Sequence, residues 1–154
     1  MVGTHKLRTL RGTAVEGLTT RLVVADGNLN HGYRVIDFVV TSRYPAGADN
    51  AAFGTLHLDY DTDATWQWSD NRQIAWCSSA LGARQSGTAG AVAPFKVIDP
   101  DHVVLQDLYL TCQLGSGTGE GAFVNYMVIL ETVELSDDEA ILTLIKERSQ
   151  DDLR

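Results

Sequence analysis

The sequence predicts an all-β fold: an antiparallel β-sandwich or jelly roll of about eight strands, with one C-terminal α-helix. Three observations predict it. Short runs rich in β-branched and aromatic residues recur at fairly regular spacing, bounded by turn signals. Between them lie loops of small residues, among them 115–121 (GSGTGEG). Only the end of the chain, from about 136 to 149, carries the apolar period of a helix. The 154 residues fit a single domain, 1–154, long enough to bury a full core without disulfides or metals.

The elements follow in order. Residues 6–15 and 18–25 read as strands parted by a Glu16-Gly17 turn, and Leu22, Val23 and Val24 make a short buried run. Asp26-Gly27-Asn28 is a turn signal, and the loop continues through Asn30-His31-Gly32. Residues 33–42 (YRVIDFVVTS) are apolar on both faces, as in a central strand covered on both sides. Pro45 and Gly47 break the loop that follows. Residues 53–60 alternate, with Leu56 and Leu58 on one side and Thr55, His57 and Asp59 on the other. Residues 61–71 interrupt, and 73–78 (QIAWCS) resume a strand. The small-residue loop 79–91 leads to a short strand, 95–98, ended by Asp99-Pro100-Asp101. Residues 102–114 and 123–135 are the last two strands.

The helix has a stated mechanism. Ser136 is an N-cap and Glu139 stands three residues on, which makes an S-x-x-E capping box. Asp137, Asp138 and Glu139 put negative charge at the positive end of the helix dipole, and Lys146 and Arg148 suit the other end. Ile141, Leu142, Leu144 and Ile145 form an apolar side that needs a surface, on its own sheet or on a neighbouring copy.

Charge and composition narrow the function classes. The chain is 44% hydrophobic and 21% charged, with no apolar run near the ~18 residues of a membrane span. The N-terminus is expected to be neither a secretion signal nor a myristoylation site, because no apolar core follows its basic residues and Val2 stands where Gly is needed. The net charge of −8 argues against strong nucleic-acid binding. It is unevenly spread. Residues 1–43 hold six basic and three acidic residues (+3), and the remainder six basic and seventeen acidic (−11). That polarity suits contacts between copies, with Lys6, Arg8 and Arg11 from one chain facing acids on the next. The basic residues and Ile141, Leu144 and Ile145 are therefore the expected interface.

Chemistry-bearing patterns are few. Asp59, Asp61, Asp63 and Asp70 approach the ligand positions 1, 3, 5 and 12 of a calcium loop, with Ala64 where the turn wants Gly and Asp70 where a bidentate Glu is usual. The set predicts either a Ca²⁺ site or an acidic surface loop; no other cofactor is expected. The histidines, His5, His31, His57 and His102, lack the local context of a nucleophile elbow. Glu16, Asp107 and Glu131 would pair as glycosidase carboxylates only if the fold happened to bring them together. The Gly-rich loops lack a P-loop Lys-Ser/Thr. The reading is therefore non-enzymatic. Trp66 and Trp68 either cover a sheet edge or subunit contact or form a stacking platform for a glycan, with Trp76 in the core. Cys77 and Cys112 read as buried thiols, with a disulfide as the alternative.

The stretches WQWSDNRQIAWCSS, VIDPDHVVLQDLYLTCQ and VNYMVILETVELSDDEAILTLIKERSQ together resemble virion structural proteins of bacterial viruses, specifically single jelly-roll coat or minor capsid proteins. The ending, a strand followed by SDDEA and a helix, is also similar in layout to the coat proteins of small RNA bacteriophages, although a single helix fits here and the body is acidic. The resemblance implies a capsid or bacteriophage virion subunit that acts by self-assembly. Its partners would be further copies of itself and other virion proteins, it would assemble in the host cytoplasm, and no membrane would be involved. A glycan-binding β-sandwich module, with or without Ca²⁺, is the alternative.

Overall fold

Period-two alternation of apolar residues folds the chain into two antiparallel sheets that face each other over one core. The computed structural model describes residues 6–42, 51–60, 64–80, 92–114 and 123–151. The strands are β1 (Leu7–Val15), β2 (Thr19–Val23), β3 (His31–Ser42), β4 (Ala51–His57), β5 (Gln73–Ala80), β6 (Val92–Ile98), β7 (Asp107–Leu114) and β8 (Phe123–Glu134), followed by the helix α1 (Asp137–Asp151). One sheet has the order β1-β8-β3 and the other β2-β7-β4-β5-β6. First pairs with last, second with seventh and fourth with fifth, which is the nested order of a long hairpin wrapped into a jelly roll. The remaining nested pair, β3 with β6, carries no ladder. β6 bonds to β5 instead, and the gap is bridged by Lys96 Nζ donating to Asp37 Oδ1 at 2.7 Å.

The core joins Val35, Phe38 and Val40 of β3 and Val124, Val128 and Leu130 of β8 to Leu56, Ala75, Leu108 and Leu110 of the larger sheet. Val35 and Phe38 are three residues apart and both point inward, which a regular strand cannot do. A bulge between Val35 and Asp37 makes it possible and turns Ile36 out to 44% exposure. The both-face apolar pattern of residues 33–42 thus reflects this bulge, since β3 ends its sheet rather than lying at the centre.

Close packing at the centre depends on Gly54. It stands between Cys112 on β7 and Cys77 on β5, and a Cβ there would lie 2.9 Å from Cys112 Sγ and 3.3 Å from Val40 Cγ1. The two thiols are buried and unbridged. They occupy strands two apart, roughly 10 Å, beyond the roughly 7 Å limit between disulfide Cα atoms. Burial pushes Cys112 up to about 12, so it is an inert apolar filler.

Several strands end sooner than periodicity suggests, for identifiable reasons. The second was expected to reach residue 25 but stops at Val23, because Val24 and Ala25 N–H both turn to the Gln106 carbonyl. The seventh was expected from 102 and starts at Asp107, because Val104 leaves to form a two-way bridge with Tyr33 (2.8 Å each). The fourth ends at His57, where a register shift follows Leu56. These departures place the 102–106 segment across the end of the sandwich, where it becomes the seat of the helix.

Candidate functional site: the C-terminal helix and the aromatic loop

The capping box forms as the sequence requires. Glu139 N–H donates to Ser136 Oγ (3.3 Å), and Ser136 N–H to Glu139 Oε2 (3.1 Å). Asn30 clamps the same turn from the body, with Nδ2 donating to the Leu135 carbonyl (3.0 Å) and to Asp137 Oδ1 (2.7 Å). From there α1 runs over the loop at Leu29–Asn30 and the 102–106 segment, not over a sheet. Its inward line is Ala140, Leu144 and Glu147, at i, i+4 and i+7. Ala140 is buried, Leu144 half-buried, and Glu147 Oε1 accepts from Leu105 N–H at 2.7 Å. Burial pushes the Glu147 carboxyl up to about 7, against the lowering effect of that bond and with a further push from Asp107. His102 is nearby and is held below its usual value, first by burial and then by Lys146, although Asp99 and Asp101 pull it up.

The apolar residues of this helix are thus divided. Leu144 faces the body, whereas Ile141, Leu142 and Ile145 are exposed at 58, 59 and 54%. Of the expected interface set Ile141, Leu144 and Ile145, the i, i+4, i+7 spacing from Ala140 carries Leu144 inward, where it is half-buried and lines a cavity. This open cavity of about 340 Å³ lies between helix and loop, walled by Leu29, Leu105, Ala140, Ile141 and Leu144, with Asn30 and Asp137 at its polar end. Leu29 is itself 74% exposed.

The basic strand divides in the same way. Lys6 and Arg11 are exposed, but Arg8 is half-buried. Its guanidinium donates to the Val24 carbonyl and lies over the Tyr33 ring, 5.9 Å from the centroid. Arg8 occupies an inward position of β1, two residues before Leu10, so it serves the fold. Lys6 lies near the helix start: its carbonyl accepts from Thr132 N–H at 2.9 Å, four residues ahead of the Ser136 cap.

The other surface is the loop after β4, folded back over the outer face of the larger sheet. The Ala64 carbonyl accepts from Thr55 Oγ1 (2.8 Å) and Trp76 Nε1 (3.0 Å). Gln73 donates to the Thr65 carbonyl (2.7 Å) and accepts from Gln67 N–H (2.6 Å). Leu58 N–H reaches the Arg72 carbonyl at 2.8 Å, which closes the loop. Thr55 and His57 are fully buried beneath it, so both faces of β4 are covered. Trp76, expected in the core, is half-buried on this outer face and meets Phe95 edge-on at 6.0 Å. Its register partner Thr55 faces the same way, so the pleat decides its side.

The proposed calcium ligands divide here. Arg72 grips Asp70 with Nε and Nη2 (2.8 and 2.9 Å), and its Nη1 reaches Asp59 at 3.1 Å. The guanidinium lowers Asp70 chiefly through these side-chain bonds. These two carboxylates thus share a cation of their own chain, and Asp59 is 4% exposed rather than solvent-facing. Asp61 and Asp63 lie outside the described residues. No group of three potential metal ligands occurs among the described residues. Trp66 and Trp68 meet at 5.7 Å and 89°; Trp68, inside a turn closed by Asp70 N–H to the Gln67 carbonyl (3.0 Å), is 78% exposed.

Sequence reading missed several side-chain pairs, among them Arg21 with Asp107, Lys96 with Asp37, and a carboxylate–imidazole contact. Asp26 Oδ2 and His31 Nδ1 stand 2.7 Å apart, and Asp26 is held down at about 2, first by His31 and then by the Asn28 N–H. The two turn signals, Asp-Gly-Asn and Asn-His-Gly, are the two limbs of one loop, so the five-residue spacing was the available clue. The Tyr33 hydroxyl bonds to the same Asp26 carboxylate. No match is found for this chain among protein-family models, curated proteins or solved structures.

Proposed function

We propose that this protein is a non-enzymatic structural subunit that works by associating with further copies of itself. The observation that carries the reading is the exposed apolar side of α1, from the cavity rim at Ile141 round to Leu142. Three large aliphatic side chains, Ile141, Leu142 and Ile145, are exposed along a helix that is fixed in place by a full capping box and the Asn30 clamp. Burying a side chain of this size is worth roughly 1.5–3 kcal/mol, so a second copy covering three of them gains a sizeable fraction of a stable contact. Charge adds selectivity. Acidic Asp137, Asp138 and Glu139 border this face, and basic Lys6 and Arg11 are exposed on the strand that starts at the same end. Two copies related by a two-fold axis place each basic strand against the other's acidic turn.

The wrapped strand order adds an architectural argument of lower weight, since jelly rolls also serve lectins and cupins. With the resemblance of the three quoted segments, it supports a coat or minor capsid subunit of a bacterial virus, with other virion proteins as further partners. The test is hydrodynamic. The purified chain is expected to sediment as a dimer or larger species at micromolar concentration, and Ile141→Lys with Leu142→Lys is expected to give a folded monomer. A monomeric wild-type chain at high concentration overturns the reading.

A further inference from the structure

We propose that the loop of residues 64–72, together with Tyr60, is a binding surface for an uncharged oligosaccharide. This rests on residues separate from the helix face. Two aromatic side chains are presented to solvent at large exposure, Trp68 at 78% and Tyr60 at 60%. Neither hangs loosely. Trp68 is braced edge-on by Trp66 and Tyr60 by Tyr109, each at 5.7 Å. The backbone that carries Trp68 is tied to the sheet through the Ala64, Thr65 and Gln67 bonds and locked by the Asp70–Arg72 pair. Little conformational freedom remains to be lost when a ligand stacks.

The polar groups stand next to the two exposed aromatics in the chain. Arg72 links Asp59, adjacent to Tyr60, with Asp70, two residues beyond Trp68. The trio carries one net negative charge. Asp59 is buried, so Asp70 is the carboxylate left to accept from a hydroxyl donor, and the net negative charge repels phosphate, which disfavours nucleic acid on this face. The ring geometry separates sugar from cation. An aromatic cage for an ammonium group surrounds an empty space with ring faces. Here each ring is already in edge contact with its partner, so no guest fits between them. What remains available is the outward ring surface, which suits the flat C–H face of a pyranose, with neighbouring hydroxyls donating to Asp70.

The intact protein should be titrated with neutral tetrasaccharides of glucose, mannose, galactose and N-acetylglucosamine, followed by tryptophan fluorescence and calorimetry. At least one is expected to bind saturably. Trp68→Ala should weaken it about tenfold or more and Trp68→Phe should restore part of the loss, with melting temperatures unchanged in both variants. Tyr60→Ala is the second arm and is expected to weaken the same ligand. Absence of binding across the panel, or binding undiminished in Trp68→Ala, overturns the proposal. Tetramethylammonium quenching the tryptophans where the sugars do not would assign a cation site instead and also overturn it. Ile141→Lys with Leu142→Lys is expected to leave sugar binding intact, so failure here is distinct from failure of the self-association reading.

Discussion

The sandwich core and the C-terminal helix treat the same residue types in opposite ways. In the core, Phe38, Leu56, Leu108, Leu110 and Leu130 have no exposed surface, and each sheet supplies the cover for the other. On α1, Ile141, Leu142 and Ile145 keep more than half of theirs. Both regions are ordered by local rules that the sequence obeys: strand alternation and bulges in one, a capping box in the other. The difference teaches that apolar content alone does not locate the core. The core is where two faces meet, and α1 meets its body along one narrow line through Ala140, Leu144 and Glu147.

That contrast makes predictions of graded size. The largest is in the core: Phe38→Ala should destabilise the chain by about 3–5 kcal/mol, measured by chemical denaturation. A small loss there would mean that the two sheets do not pack as described. The helix seat should respond to Glu147→Gln by about 1–2 kcal/mol after screening by solvent, and in the stabilising direction above neutral pH. The sign follows from a carboxyl at about 7 in the folded chain against 4.5 ordinarily. Protonated Glu147 favours the seated helix, so its contribution is complete below about pH 4.5 and is lost as pH rises through 7. His102, held below 6.5, acts oppositely: its contribution is present above 6.5 and lost on acidification. Hydrogen exchange of the helix amides should therefore show protection that falls as pH rises from about 4.5 to 7, with His102 opposing that fall on its acidic side, and Glu147→Gln should flatten it. The smallest effect is at the cap, where Ser136→Ala should cost about 1 kcal/mol. It should appear as faster exchange in the first turn of α1, with the core strands unchanged.

Much of the fold was legible from residues near one another in sequence. Alternation located the eight strands, and Ser136 with Glu139 located the helix start, because each signal is local. Strand ends were less legible, since they depend on distant partners: Val24 and Ala25 leave their ladder for Gln106, and Val104 leaves for Tyr33. The site was the least legible. Asp59 and Asp70 looked like two ligands of one cation, and they are, but the cation is Arg72, thirteen and two residues away. Arg8 looked like an interface charge and instead stacks on Tyr33. The division of the helix depends on Ala140, whose small side chain lets its line approach the body, with Ile141 at the cavity rim and Ile145 left exposed.

The central claim is that the exposed apolar side of α1 is covered by a second copy of this chain. Sedimentation velocity from low to high micromolar concentration tests it most directly. The account predicts a concentration-dependent dimer or larger assembly that Ile141→Lys with Leu142→Lys converts to a folded monomer. A wild-type chain that remains monomeric throughout, or an assembly that the double variant leaves intact, would contradict it.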